Sequence, residues 1–283
     1  MTVLEVIQKS TSFLEGKGVE SPRLQTELLL SHVLKLPRMK LYLNFERALT
    51  DTELGEIREL VKRRGQREPL QHIVGSTSFC GLEIAVNRHV LVPRPETELL
   101  AEAGWQFLSN LNPQPSTALD FGTGSGCIAI ALAARCPPVL VTALDASAEA
   151  LSVARENARR NGVTERIEFI QGDGFKALSA DARFDLIISN PPYIPTAEIA
   201  SLEPEVQDFD PCSALDGGAD GLEFYRRIAA EAVVLLKPDG KIMLEIGDGQ
   251  AAAITKIFET QNWIVEAVRE DYTRRQRIFI ARR

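Results

Sequence analysis

Apolar positions recur at helical spacing through roughly the first 70 residues and at strand-like spacing in short blocks thereafter. Leu4, Ile7, Phe13 and Leu14 predict a first helix. Ser21 ahead of Pro22 reads as an N-cap followed by a proline at the first helical position, and Leu24, Leu28, Leu29, Val33 and Leu36 line the apolar face that follows. Thr50-Asp51-Thr52-Glu53 has capping-box spacing and opens a third helix through Leu54, Ile57, Leu60 and Val61. Residues 1–70 are therefore expected to form a small helical domain. Its basic end, Lys62-Arg63-Arg64-Gly65-Gln66-Arg67, suits either an acidic partner or the negative end of its own helix dipole.

Between residues 71 and 92 the pattern changes to Ile73, Phe79, Leu82, Ile84 and Val86, interrupted by Gly75 and Gly81, which predicts a linking β-hairpin that ends at Pro93 and Pro95. From 93 to 283 helix and strand signals alternate. Strands are expected at 117–121, 139–144, 167–170, 184–189 and 242–246, then at 264–268 and 277–281, with helices at 128–135, 148–161, 222–236 and 251–260 and none between the last two strands. Strict alternation predicts an α/β fold: a doubly wound, mostly parallel seven-stranded sheet, with the last strand antiparallel because no helix separates it from its predecessor. The long irregular stretch at 194–220 is a candidate substrate wall or lid.

Composition narrows the chemistry. An apolar fraction of 45% over 283 residues suits two globular domains, and a formal charge of -7 argues against a broad phosphate-binding surface, so no direct nucleic-acid binding is expected. Cys80, Cys127, Cys136 and Cys212 are scattered and His32, His72 and His89 share no ligand spacing, so neither a metal site nor a disulfide framework is expected. Neither a signal-peptide pattern nor an apolar run of membrane length is present, which makes the cytoplasm the expected location; a monomer is expected.

Gly122-Thr123-Gly124-Ser125-Gly126 ends the first parallel strand and opens a helix. Its glycines let the backbone approach a ligand closely, but the spacing is not the dinucleotide fingerprint, so a carboxylate-bearing and an uncharged ligand edge suit it equally. Asp145 ends the next strand, 19 residues after Gly126, where a carboxylate accepts two hydrogen bonds from a ribose diol; helix capping is the competing role, and Ser147 already fills it. Asp173 after the third strand is placed to read an adenine amino group, with Gly174 exposing a backbone amide and Phe175 offering an apolar wall. The fourth strand ends in Asn190-Pro191-Pro192-Tyr193. Two prolines fix φ and remove two donors, leaving free carbonyls beside an Asn amide oxygen and an aromatic face, an arrangement suited to a planar NH2 group. In isolation such a tetrapeptide is as well explained as a strand-ending turn.

In this order, at the carboxyl ends of successive strands, the four motifs resemble class I S-adenosylmethionine-dependent methyltransferases that modify planar nitrogens. Arg67-Glu68-Pro69-Leu70-Gln71-His72-Ile73-Val74-Gly75, Phe79 with Gly81-Leu82, Val90 to Glu98, Glu205-Val206, Ala214 to Leu222 and Leu244-Glu245-Ile246-Gly247 resemble the release-factor glutamine methyltransferases, the HemK/PrmC family. The resemblance implies S-adenosylmethionine as cofactor and class I peptide chain release factors as protein partners, methylated on the glutamine of their Gly-Gly-Gln motif. It implies catalytic roles for Asn190, Pro191, Pro192 and Tyr193, and cofactor contacts from Gly122 to Gly126, Asp145, Asp173, Gly174, Phe175 and Asn190. Glutamine methylation of a ribosomal protein and amino-group methylation of a nucleic acid are the alternatives. Gly174 departs from the bulky residue often found after the acid in this family, which implies a different adenine packing with Phe175 contributing. Glu96 and Glu98 suit either the mouth of the site or the first turn of their own helix.

Overall fold

The computed structural model describes residues 1–112 and 114–283. Packing divides the chain into two units, Met1–Ser76 with Glu203–Phe209, and Thr77–Leu202 with Asp210–Arg283.

The first unit holds α1 (Val3–Glu15), α2 (Pro22–Leu34), α3 (Arg38–Leu41), α4 (Asp51–Gly65) and α5 (Leu70–Val74). Reciprocal capping boxes, Thr2 with Glu5 and Thr50 with Glu53, satisfy the first amides of α1 and α4. Val3, Ile7, Leu14, Leu29, Leu30, Ile57 and Val61 form the core between these helices. Ser21 does not cap α2 through its hydroxyl. Ser21 sits in left-handed backbone at φ 46°, ψ 51° instead of the extended conformation of a capping residue, so its side chain is out of cap geometry. The basic end of α4 is turned inward: the guanidinium of the buried Arg64 and that of Arg67 each donate to Glu205 at 2.6 Å, and Arg67 also reaches Glu203 at 2.8 Å. This cluster ties Glu203–Phe209, which carries the single turn α9 (Pro204–Gln207), to the bundle.

The expected hairpin is shorter than the pattern implied. Residues 70–74 form a helical turn that places Ile73 in the bundle core and closes at Gly75 with φ 82°; the strands are β1 (Ser76–Phe79) and β2 (Leu82–Ala85). The second unit then runs α6 (Pro95–Ser109), β3 (Thr117–Phe121), α7 (Cys127–Arg135), β4 (Leu140–Asp145), α8 (Ala148–Arg160), β5 (Ile167–Gln171) and β6 (Phe184–Ser189). After the loop come α10 (Glu223–Glu231), β7 (Leu236–Glu245), α11 (Ala251–Thr260), β8 (Ile264–Glu270) and β9 (Gln276–Arg282). The sheet order is β5-β4-β3-β6-β7-β9-β8, parallel from β5 to β7 and antiparallel on both sides of β9, as the missing final helix required. α10 is shorter than its apolar periodicity implied because Ala232–Leu235 tightens to a 3-10 turn, and β7 starts earlier, with a register irregularity opposite Phe184 and Leu186.

Both faces of the sheet are covered, and alternation along each strand assigns its side chains. In β6, Leu186 and Ile188 enter the core shared with α6 and α7, whereas Ile187 joins the opposite core with Tyr225 of α10 and Phe258 of α11. The chain crosses from one side of the sheet to the other between β3 and β6. Open α/β sheets bind ligands at the carboxyl ends of the strands flanking such a switch point.

Candidate active site

The glycine turn leaves β3 and is anchored on β4. The amides of Gly122 and Thr123 donate to the Leu144 carbonyl at 2.9 and 3.0 Å. Gly122 and Gly124 take φ 72° and 55°, and a Cβ added at either would meet nothing within 4 Å, so backbone conformation and an open approach call for glycine there. Beneath the turn, the fully buried Asp120 accepts from Thr123 Oγ1 at 2.6 Å and from the Ala129 amide at 3.0 Å. Burial pushes its carboxyl up to about 7 against these hydrogen bonds, and its Oδ1 has no partner among the described residues. Asp145 is held from both sides: Oδ2 accepts from the Gly124 amide at 2.8 Å and Oδ1 from the Ser147 amide at 2.9 Å. Ser147 Oγ caps α8 by accepting from Ala150 at 3.0 Å, which leaves the remaining lone pairs of Asp145 for a ligand.

Around Asp173 the surroundings differ from an open acid and an apolar wall. The Asp173 side chain is exposed and bound by Arg227 of α10, whose Nη1 donates to Oδ1 at 2.8 Å and Nη2 to the backbone carbonyl at 2.7 Å. A Cβ on Gly174, which has φ 91°, would collide with that guanidinium. The bulky residue missing from this position thus has its space taken by Arg227. Phe175 is buried and stacks on Phe121 with ring centroids 4.5 Å apart, so its ring is part of the core beneath this edge of the sheet.

The Asn190-Pro191-Pro192-Tyr193 corner ends β6, next to β3. Ser189 Oγ donates to the Phe121 carbonyl at 2.6 Å, fixing the corner against the start of the glycine turn. Asn190 Nδ2 donates to Thr97 Oγ1 of α6 at 3.3 Å, and Thr97 in turn donates to Oε2 of Glu245, at the end of β7, at 2.6 Å. Thr97 and Glu245 are both buried. Among the described residues nothing donates to Asn190 Oδ1 or to the Pro191 carbonyl. The Tyr193 carbonyl accepts from Gln250 Nε2 at 2.9 Å, and burial raises its phenol to about 12. Residues 215–217 return alongside: Ile194 donates to Leu215 at 3.0 Å and Gly217 to Ile194 at 2.8 Å. A Cβ on Gly217 would lie 2.8 Å from Tyr193 Cα and 2.9 Å from the Pro192 carbonyl oxygen, so glycine is what lets the returning chain close on the corner. Nearby, Arg94 Nη2 donates to the buried Asp210 at 2.9 Å.

The structure thus gathers Gly122–Gly126, Asp145 and Asn190–Tyr193 at one edge, on the adjacent strands β4, β3 and β6, with Asp173 and Gly174 after the outer strand β5. Residues 5–75 match the PrmC N-terminal domain and residues 100–202 the methyltransferase small domain. The release factor glutamine methyltransferase of Geobacter sulfurreducens is 46% identical over 91% of this chain and 88% of that protein. That of Chlorobaculum tepidum is 44% identical over 98% and 95%. The chain belongs to the release factor glutamine methyltransferase family. Solved structures agree on the fold: a methyltransferase from Pyrococcus furiosus superposes with a TM-score of 0.51 at 21% identity, covering 72% of this chain and 90% of its own. The ribosomal protein L11 methylase of Lactobacillus delbrueckii gives 0.50 at 21%, covering 69% and 81%.

The structure adds three buried polar residues that local patterns did not single out, Thr97, Glu245 and Asn157. In sequence Thr97 lies only within the segment Val90 to Glu98, and Glu245 only within Leu244-Glu245-Ile246-Gly247. Asn157 is completely buried in α8; its Oδ1 accepts from the Ala85 amide at 2.8 Å while Nδ2 donates to the carbonyls of Ala85 and Ser125 at 2.9 Å each. An Asn interrupting a helix's small apolar residues was the available signal. Glu98 accepts from the Cys80 amide at 3.0 Å, so its carboxylate fixes the hairpin turn.

Proposed function

We propose that this methyltransferase transfers the S-methyl group of S-adenosylmethionine to the side-chain nitrogen of the glutamine in the Gly-Gly-Gln motif of class I peptide chain release factors. Support for the donor comes from the open turn at Gly122 and Gly124, the orphaned Asp120 Oδ1 beneath it and the braced carboxylate of Asp145. Gly122, Thr123, Gly124, Ser125 and Gly126 would hold the amino-acid portion, Asp145 the ribose, and Asp173, Gly174 and Phe175 the edge and floor of the adenine region. When bound, S-adenosylmethionine supplies an electrophilic methyl carbon on a positive sulfonium.

The observation that carries the acceptor assignment is the orientation of Asn190: its NH2 is committed to Thr97, so its Oδ1, with the Pro191 carbonyl, presents two acceptors to a planar NH2 group. An amide nitrogen is a poor nucleophile because its lone pair is delocalised. Two fixed acceptors hold it in one attitude, and alignment of this kind contributes up to about 7–11 kcal/mol in favourable cases. The same acceptors favour the positive charge that grows on nitrogen during attack, so their contribution rises toward the transition state. Pro192 stiffens the corner, and Tyr193 packs on the amide plane and excludes water. The proton released from nitrogen leaves to solvent, since a carboxamide such as Asn190 is no base. Release factors act on ribosomes, which places the reaction in the cytoplasm.

The test is mass spectrometry of purified release factor after incubation with enzyme and S-adenosylmethionine. One added methyl on the Gly-Gly-Gln glutamine is expected, and an unmodified glutamine overturns the assignment. Parallel incubations with ribosomal protein and with nucleic acid separate the two alternatives.

A further inference from the structure

The hydrogen bonds beneath the corner have a direction. With Glu245 ionised, the one hydroxyl hydrogen of Thr97 goes to its Oε2, 2.6 Å away. Only lone pairs then remain on Thr97 Oγ1, so the atom of Asn190 that faces it, 3.3 Å away, must be the NH2 group. An ionised carboxylate accepts and cannot donate, so it sets the polarity of the chain from its far end. The geometry points to Glu245 as a positioning residue whose ionised carboxylate, acting through Thr97, holds the Asn190 carboxamide with its oxygen toward the methyl acceptor. This deepens the reading of Asn190 given above and rests on it.

Protonation of Glu245 removes that constraint. A carboxylic acid can donate to Thr97 Oγ1, Thr97 can then donate to Asn190 Oδ1, and the carboxamide is satisfied equally well when turned over. Turned over, it offers NH2 to the incoming amide, donor against donor. No bond is made or broken beyond the exchange of one proton with solvent, and the switch consists of which end of each group donates. Glu245 is suited to it, because burial raises its carboxyl to about 7, opposed by the Thr97 hydrogen bond. The charged and titratable groups facing it are Arg277 of β9 and Arg94, which favour the carboxylate, and Glu96 of α6, which disfavours it. Tyr193 and Tyr225 also face it; both are buried, with phenols raised above their ordinary value, and so stay neutral through this range. Tyr225 Oη donates to the Glu245 backbone carbonyl at 2.9 Å, fixing the strand end without competing for the carboxylate.

Two measurements test this. The first is the pH dependence of kcat on release factor at saturating cofactor. The native enzyme should lose kcat on acidification with a midpoint near 7, whereas Glu245→Gln, ambivalent at every pH, should be slower by about tenfold to a hundredfold at pH 8 and lack the acid limb. Its cofactor affinity should be unchanged. Thr97→Ser should keep both rate and profile, and Thr97→Val should lose rate without losing cofactor affinity. The second needs no substrate: the 15N resonance of the Asn190 side-chain amide should titrate with Glu245 in the native protein and be flat in Glu245→Gln. A Glu245→Gln variant with native kcat and an intact acid limb, or an Asn190 resonance indifferent to pH, overturns the relay. If the native protein shows the Asn190 titration yet leaves release factor unmethylated, the relay stands and the substrate assignment falls.

Discussion

Replacing Asn157 by Ala should weaken both the fold and the cofactor turn. Three hydrogen bonds are lost at one buried side chain, two to the Ala85 backbone and one to the Ser125 carbonyl. Ser125 matters most. Its carbonyl lies four residues before Ala129, but the Ala129 amide is diverted to Asp120, so Asn157 takes the place of the usual helical donor. An unpaired buried polar group costs roughly 1–3 kcal/mol. Ala85 is half-buried and partly resolvated, so its two groups together add about another 1 kcal/mol. A loss of roughly 3 kcal/mol follows, which for a unit of this size lowers Tm by about 6–12 °C. Because the Ser125 carbonyl is then free to pull its peptide toward water, Gly124 loses register with Asp145, and affinity for S-adenosylmethionine should fall on the order of tenfold. Urea unfolding gives the first quantity and titration calorimetry the second. Unfolding free energy within about 0.5 kcal/mol of the native protein, the range of an ordinary surface substitution, would refute the reasoning.

Three further outcomes are expected. Asn190→Ala should abolish turnover while leaving cofactor affinity, read by calorimetry, nearly unchanged; a native rate in that variant removes Asn190 from its role. Gly174→Leu should destabilise by about 1–3 kcal/mol in urea unfolding, because the new side chain meets Arg227 and φ is 91°, and Arg227→Ala in the same chain should recover part of the loss; full additivity of the two changes excludes the clash. Asp120 and Glu245, raised by burial to about 7 from ordinary values of 3.8 and 4.5, bind protons more tightly folded than unfolded. Their contribution to stability is therefore complete below about pH 4 and falls as pH rises toward 7, by at most about 1.4 kcal/mol per pH unit for each group. Asp220 and Asp271, held at about 2 chiefly by hydrogen bonds from Arg226 and Thr273, act in the opposite sense but only below 3.8. Urea midpoints from pH 5 to 8 should decline more steeply in the native protein than in Asp120→Asn; parallel slopes would contradict the assignment.

What the sequence made legible was local or periodic. Alternation in Leu186, Ile187 and Ile188 gave a strand buried on two faces, and the absence of a helix between the last two strands gave their antiparallel pairing, because both follow from geometry within a few residues. The placement of the glycine turn, Asp145 and the Asn-Pro-Pro-Tyr corner at one edge was legible for the same reason: each is a short motif at a strand end, and doubly wound topology puts strand ends together. Boundaries moved where tertiary packing overrode pattern, as when Ile73 joined the bundle core and turned an expected strand into α5.

The partners of the site residues were not legible, because they come from far along the chain and no period connects them. Thr97 lies at the start of α6 and Glu245 at the end of β7, and they meet only because β6 and β7 are paired in the sheet and α6 packs over them. Read singly, Thr97 is a polar residue in a first helical turn and Glu245 an acid at the end of an apolar strand; each has an ordinary explanation. Arg227 is the same case, an arginine on an amphipathic helix until the fold lays it across Gly174. The glycine at this position leaves the room that the Arg227 guanidinium occupies. The corner undergoes a similar change of meaning. Asn190 reads from sequence as an acceptor for a planar NH2 group, and the fold adds Thr97 and Glu245 behind it, the contacts on which the proposed relay rests.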